Sequence, residues 1–185
     1  MDSRHSALYR VRMTPPPLSA LPEELPTAIP EVRLRLLTPA DTADHLALLR
    51  ANRDHVTRHG DFTEQVRASA EDVRAALART DGRERAYGIR LRGALVGQVS
   101  LIAVDPPRYG LGYWLDHGAT GHGRAGAACA ALVDRAHTVL GATDVFAGVT
   151  HGNTASAALL RRLGFAPVRE FATYTRFRLA LPPVA

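Results

Sequence analysis

The stretch of sequence richest in chemistry is GLGYWLDHGATGHGRAGAAC, residues 110–129. Gly118, Gly121, Gly123 and Gly126 punctuate a turn between an apolar run that ends near Asp116 and an alanine-rich helical pattern. Such a turn leaves several backbone N–H groups pointing outward, and the dipole of the helix it opens adds partial positive charge. Together they make a site for phosphate oxygens. Gly121 and Gly123 carry no Cβ, so a bulky anion can approach the main chain. Taken alone, a G-x-G turn is equally compatible with a plain turn. Two common phosphate fingerprints do not account for the turn. The chain has no lysine for G-x-x-x-x-G-K-[ST]; Gly121, Gly123 and Gly126 do have the spacing of G-x-G-x-x-G, but the antiparallel strand pattern before them is not the βαβ context of a dinucleotide site.

Other residue types invite other chemistry. Of the eight histidines, His55 and His59 stand at i,i+4 and can share a helix face. No H-E-x-x-H accompanies them, so a solvated helix end is the better reading and no metal is expected. Cys129 is the single cysteine, which excludes an internal disulfide and suits a reducing, cytoplasmic compartment. No run of about 18 apolar residues is long enough to span a membrane, and the start, MDSRHSALYRVRM, lacks a signal-type apolar stretch. The formal net charge is +5, and all 23 basic residues are arginine. They are scattered, so a GC-rich coding bias explains them better than nucleic-acid binding does. A basic surface still favours anionic ligands.

The length, 185 residues, fits one domain able to bury a sizeable core. Prolines 15, 16, 17, 22, 26 and 30 forbid a regular helix or central strand, so residues 1–30 are expected to form an extended leader outside the core. From Glu31, EVRLRLL alternates as a half-buried strand does. Thr38 can cap a helical region with Pro39 at its first position and Leu46, Leu49 and Val56 on its apolar stripe. A second helix starts at Ser69 or Ala70, with Val73, Ala76 and Leu77 facing inward. Three antiparallel strands are predicted at about 84–92, 95–104 and 108–116. A long helix over about 123–140, a strand at 144–150, a short helix over about 154–163 and strands at 166–171 and 173–181 complete the chain. This order is an α+β (mixed α/β) chain built on one mixed sheet.

Placed on these elements, the motifs resemble a known family. Gly112-Tyr113-Trp114-Leu115-Asp116 followed by Gly121-His122-Gly123-Arg124-Ala125 looks like the acyl-CoA motif of the GNAT superfamily of N-acyltransferases. The nearest branch is the RimJ/RimL type, the ribosomal-protein N-terminal acetyltransferases and their relatives. A second block, Asn153, Ser156 and Leu163-Gly164-Phe165, resembles the branch's N-x-x-S and L-G-F at the right separation. The resemblance covers residues 31–181, which sets the expected division into a proline-rich extension, 1–30, and a GNAT domain, 31–185.

The resemblance implies a mostly antiparallel sheet whose acyl-CoA-binding strand splays from its neighbour. Free backbone groups of Trp114, Leu115 and Asp116 are then expected to hold the pantetheine arm, and Thr120, Gly121, His122, Gly123, Arg124, Ala125 and Gly126 the pyrophosphate. An N–H near Leu115 is expected to polarise the thioester carbonyl. Asn153 would bond the pantetheine or a neighbouring backbone, or simply cap the last helix, and Ser156 would sit near the coenzyme sulfur. Tyr113 is equally readable as a core aromatic, and Trp114 reads slightly better as one. His55 and His59, with Asp54, Asp61 and Glu64, are expected to line the substrate mouth. The implied function is acetyl transfer from acetyl-CoA to a primary amine, a peptide or protein N-terminus or a small molecule, by a monomer or homodimer. Its rivals are a small-molecule or antibiotic acceptor, a non-acetyl donor, or a non-catalytic acyl-CoA-binding module. The chain departs from the pattern where the family's Arg or Gln is Thr120, where a proline and an acidic residue are His117-Gly118, and where carboxylates are Gly110 and Arg161. The tyrosine that many members carry in the last helix is absent.

Overall fold

The structure is a computed structural model that describes residues 14–79 and 81–183. Eight strands form one sheet: β1 (Glu24–Pro26), β2 (Val32–Leu36), β3 (Glu84–Leu91), β4 (Ala94–Asp105), β5 (Arg108–Leu115), β6 (Asp144–Thr150), β7 (Ala166–Glu170) and β8 (Tyr174–Ala180). Their order is β1-β2-β3-β4-β5-β6-β8-β7. Every neighbouring pair is antiparallel except β5 with β6. That exception follows from connectivity, because a parallel pair needs a long crossover and the chain supplies a helix there.

The crossover is α5 (Arg124–Leu140). It buries Ala128, Cys129, Leu132, Val133, Ala136 and Leu140 and ends at Gly141, whose φ of 66° is the left-handed cap that favours glycine. Leu160 of α6 (Thr154–Arg162) joins the same apolar cluster, with Val99, Leu101, Tyr109, Leu111, Val145 and Phe177 from the strands. The other face is partly covered by α1 (Thr42–Ala51), α2 (Arg53–Val56), α3 (Thr63–Arg67) and α4 (Ala70–Leu77). There Leu49, Val56, Val66 and Trp114 form a second, smaller cluster. Among the described residues no helix is long and apolar enough to cross a membrane.

Capping sets the helix starts. The Thr38 N–H and hydroxyl both donate to Asp41 Oδ2 at 3.0 Å, and the Ser69 hydroxyl accepts from the Asp72 N–H at 3.1 Å. The helical region after Thr38 breaks at Asn52, so the Leu46–Val56 stripe is shared by two helices. On α4, Val73 is buried but Ala76 is exposed, against the expected inward face. The helix is short and touches its neighbours along a narrower stripe.

The N-terminal segment departs furthest from expectation. Leu18, Leu21 and Leu25 are buried in the main core, and β1 pairs with β2 at the sheet's edge. The Tyr87 hydroxyl donates to the Pro22 carbonyl at 2.6 Å, and Arg85 donates to the Leu21 carbonyl at 2.7 Å. The packed unit therefore begins at Leu18, not Glu31. Proline density excludes a central strand, but an edge strand has one side with no ladder to satisfy, and proline is tolerated there. Residues 1–13 of the expected leader lie outside the described residues.

Candidate active site

The parallel pairing of β5 with β6 is confined to Arg108–Gly110 against Asp144–Phe146. Beyond it, residues 111–115 pair only with β4, and residues 147–150 only with β8. The two strands thus open into a V. The Asp116 N–H donates to the Val96 carbonyl at 2.7 Å, on the β4 side. Antiparallel alternation then turns the backbone of Trp114 towards β4 as well, and that of Leu111, Tyr113 and Leu115 towards the V. Of the three residues expected to offer free backbone groups, only Leu115 has its N–H on the open edge. Tyr113, two residues earlier, shares that edge.

At the wide end of the V lies the start of α5. Gly123, at φ 72°, is its N-cap, and the first helical bond runs from the Ala127 N–H to the Gly123 carbonyl. The N–H groups of Arg124, Ala125 and Gly126 precede that bond and have no helical acceptor. No side chain caps them and no acidic residue stands in the first turn. A Cβ built at Gly121, Gly123 or Gly126 meets nothing within 4 Å, so the approach is open. The preceding turn is held firmly. The Thr120 hydroxyl donates to the His117 carbonyl at 2.7 Å, His122 Nδ1 lies 2.6 Å from the Thr120 carbonyl, and Arg124 donates to the Ala119 carbonyl at 3.1 Å. Asn52 fixes the turn to α1: its Oδ1 accepts the His117 N–H at 2.9 Å and its Nδ2 donates to the Leu48 carbonyl at 3.0 Å. Open space, unpaired donors and a helix dipole fit a pyrophosphate.

The other arm of the V ends at α6. Asn153 caps that helix, its Oδ1 accepting the Ser156 N–H at 3.1 Å. The Tyr113 hydroxyl reaches across to the Ser156 carbonyl at 3.4 Å, and burial pushes its pKa up to about 12. A phenol therefore stands beside Ser156 although the last helix has no tyrosine. Gly164, at φ 89°, ends the helix turn and Phe165 is buried, so Leu163-Gly164-Phe165 is structural. Cys129 is fully buried and burial pushes its thiol up, which withholds the only sulfur nucleophile from the V.

Trp114 points to the opposite face from Leu115 and is buried beneath α1, with the His45 ring edge-on at 5.8 Å. His45 Nε2 lies 2.6 Å from Gln98 Oε1, and Gln98 donates to Ser100 at 2.8 Å. The segment between α1 and α3 bridges the two arms of the V. His55 packs against His117 with ring centroids 4.9 Å apart, at the β5 end. Asp61 accepts the Thr150 hydroxyl at 2.6 Å, at the β6 end, and His59 Nδ1 lies 3.6 Å from where a Cβ of Gly152 would stand. Burial, then the His117 charge, lowers the His55 pKa, which keeps the imidazole neutral near pH 7. His55, His59 and Asp61 thus lie along this bridge; among the described residues neither Asp54 nor Glu64 makes a comparable contact. Among the described residues no group of three or more His, Cys, Asp or Glu is placed to hold a metal. Sequence reasoning misses Asn52 and His45, and it names Tyr113 without placing its hydroxyl beside Ser156. Their one signal is a polar residue on an otherwise apolar face, which says little until the partner strand is known.

The sequence profile of the acetyltransferase (GNAT) domain matches residues 31–166, most of the chain. The chain belongs to the GNAT acetyltransferase family. A search of curated proteins returns no match. Among solved structures, this GNAT protein is similar to RimJ of Mycobacterium smegmatis in complex with CoA-disulfide. The two share 25% identity with a TM-score of 0.75, over 91% of this chain and 90% of that one. It is also similar to RimL, the ribosomal L7/L12 alpha-N-protein acetyltransferase, in complex with coenzyme A. There identity is 20% and the TM-score 0.76, over 86% of this chain and 98% of that one. A third likeness is to the Salmonella typhimurium acetyltransferase that modifies the N-terminal serine of 50S subunit protein L7/L12 (19% identity, TM-score 0.71, 86% and 100% covered). This GNAT protein is an acyl-CoA-dependent acetyltransferase with acetyl-CoA as its co-substrate.

Proposed function

We propose that the protein acetylates an α-amine, that of a peptide, a protein N-terminus or an amino-acid-like molecule, by direct attack of the amine. The observation that carries the reading is the V between β5 and β6, whose open backbone edge at residues 111–115 leads to the uncapped start of α5. Acetyl-CoA supplies the acetyl group as an activated thioester. In this reading Gly121, His122, Gly123, Arg124, Ala125 and Gly126 hold its pyrophosphate, and the edge of Leu115, continued by Tyr113, holds the pantetheine. The Leu115 N–H donates to the carbonyl oxygen as negative charge builds on it. The amine bonds to the carbonyl carbon, the carbon–sulfur bond breaks with its electron pair going to sulfur, and the proton that the nitrogen loses ends on the departing thiolate. The hydroxyls of Ser156 and Tyr113 stand by the departing sulfur. Asn153 serves by capping α6, which sets where Ser156 points. His55 and His59 take the acceptor side.

The acceptor class follows from proton handling. The attacking nitrogen must be neutral. An α-amine of pKa near 8 is neutral for roughly a tenth of the time at pH 7, whereas a lysine amine is neutral about four times in ten thousand. Gly110 and Arg161 stand where the family places carboxylates, and the neutral imidazole of His55 is a modest base at the mouth. Such a site suits an amine that loses its proton easily. The α-N-protein acetyltransferases among the structural relatives support the same reading.

The test offers one short peptide in two forms, with either its α-amine or a lysine amine free, and measures release of coenzyme A thiol. The α-amine form is expected to react faster at pH 7. Faster acetylation of the lysine form would overturn the acceptor class.

A further inference from the structure

Strand pairing defines what lines the acceptor side of the V. Gly110 pairs with Phe146 and Ile102, so these residues share the face that carries Trp114. Alternation extends that face through Gly112 on β5 and Gly148 on β6. Across to β8, Phe146 pairs with Arg178, Gly148 with Arg176 and Thr150 with Tyr174. On β7, Arg169 pairs with Arg176. Glycines 110, 112 and 148 thus floor a strip, with Ile102 and Phe146 beside it and three arginines forming its far wall. A Cβ at Gly112 meets nothing within 4 Å, so the floor is open there, while the Tyr174 ring lies over Gly148 and Ile102 and Val104 lie beside Gly110.

The three arginines differ. Arg178 has its counter-charge built in, donating to Asp144 at 2.5 Å. Arg169 and Arg176 make no salt bridge among the described residues; the Tyr174 hydroxyl, 3.4 Å from Arg176, is uncharged. They stand directly opposite each other in the ladder, where like charges are destabilising. Their guanidinium carbons lie 4.8 and 4.9 Å from the centre of the Phe171 ring, which itself stacks on Tyr174 at 4.5 Å. The neighbouring Glu170 pairs with Thr175, so it points to the other face, where it stands 3.7 Å from His151. Asp61 is engaged by Thr150. Two cations are thus held side by side on an aromatic support; the carboxylates on their face, Asp144 and Asp61, are bonded to Arg178 and Thr150, and among the described residues neither reaches Arg169 or Arg176.

We propose that Arg169 and Arg176 read a carboxylate on the acceptor, so that the substrate is an amine carrying an acidic group, best an N-terminal peptide with Asp or Glu close behind its α-amine. This rests on the V being the transfer site. Neighbouring strands lie about 4.8 Å apart, so Arg176 stands about one strand, and Arg169 about two, from the β6 edge of the V. An extended acceptor advances about 3.3–3.6 Å per residue, which places the carboxylate on about its second to fourth residue. Paired guanidinium groups suit a carboxylate because their donors match its two oxygens.

The experiment compares two peptides with free α-amines, one bearing Asp-Glu and the other Asn-Gln at positions two to four. The first readout is direct binding of each to the full chain with coenzyme A present; the second is acetylation. The acidic form is expected to be favoured about 10- to 100-fold. The ratio should fall towards one in Arg169→Gln/Arg176→Gln and at high salt, and persist in Arg135→Gln, which removes a charge from α5 on the other side of the sheet. The two substitutions relieve a like-charge pair, so melting temperature should hold or rise. The α-amides of aspartate and asparagine form a second pair: discrimination there too would point to a small acidic amine, and discrimination only between the peptides to a chain N-terminus. Equal binding of both peptides, or a preference that survives in the double variant, overturns the proposal. Charge-dependent binding without acetylation would instead overturn the α-amine transfer reading and leave this one standing.

Discussion

Gly126→Asp separates the anion-binding role of α5 from its structural role, because the two predict opposite signs. Gly126 stands at the third position of the helix, and its added side chain meets open space. Replacing glycine raises helix propensity, and a carboxylate in the first turn favours the dipole; together these stabilise the apo protein by about 1 kcal/mol. Melting temperature should rise by about 2–4 °C at this size. The same carboxylate faces the proposed pyrophosphate. At a separation of about 5 Å, with an effective dielectric between about 20 and 80, each charge pair costs roughly 1–3 kcal/mol, or about 5- to 150-fold in affinity. Gly123 is a poorer test, because its φ of 72° adds backbone strain to any substitution. Calorimetry with coenzyme A and a thermal melt measure both quantities on one preparation. Unchanged affinity in the folded variant would remove the start of α5 from the site. A lowered melting temperature would refute the claim that the space beside Gly126 is free.

Three further outcomes are expected. A chain beginning at Thr27 loses the burial of Leu18, Leu21 and Leu25, at most about 5–9 kcal/mol; since a whole domain is stable by about 5–15 kcal/mol, it should fail to show a cooperative thermal transition. Asp41 is paired with Arg35 and Arg90, each at 2.6 Å; burial alone would raise its pKa, but the bonds from Thr38 and the Arg35 charge outweigh it and hold it below the ordinary value. Its contribution to stability is therefore present above its unfolded pKa and lost as pH falls through the folded one. Asp41→Asn should cost about 3 kcal/mol near pH 7, with the gap to wild type closing below about pH 4 in acid-series melts. Ser156→Ala and Tyr113→Phe should each lower kcat by roughly 10-fold or more with little change in coenzyme A affinity, and wild-type rates in both would take these hydroxyls out of the mechanism.

Much of the frame was legible in the sequence because its signals are local. Alternation in EVRLRLL, the glycine stop at Gly141 and the cap at Ser69 each act within one element, and each element formed where its pattern placed it. The glycine turn before α5 was legible for the same reason. What stayed hidden depends on partners far along the chain. Whether Trp114 or Leu115 turns its N–H to the V is decided by the register with β4. That the proline-rich segment donates leucines to the core depends on β2 leaving an edge for it. Asn52, 65 residues from the backbone group it holds, reads in sequence as one more polar helix residue.

The burial of Cys129 has a use at the bench. Transfer to an amine liberates a thiol from the coenzyme, and a colorimetric thiol reagent counts it. Native protein adds no background to that count, since its one thiol is buried on α5 and burial disfavours the reactive thiolate. In denaturant the situation reverses: with no acyl donor present, the reagent reports one equivalent per molecule that has opened. One reagent thus follows turnover in buffer and core exposure in urea, with no label introduced.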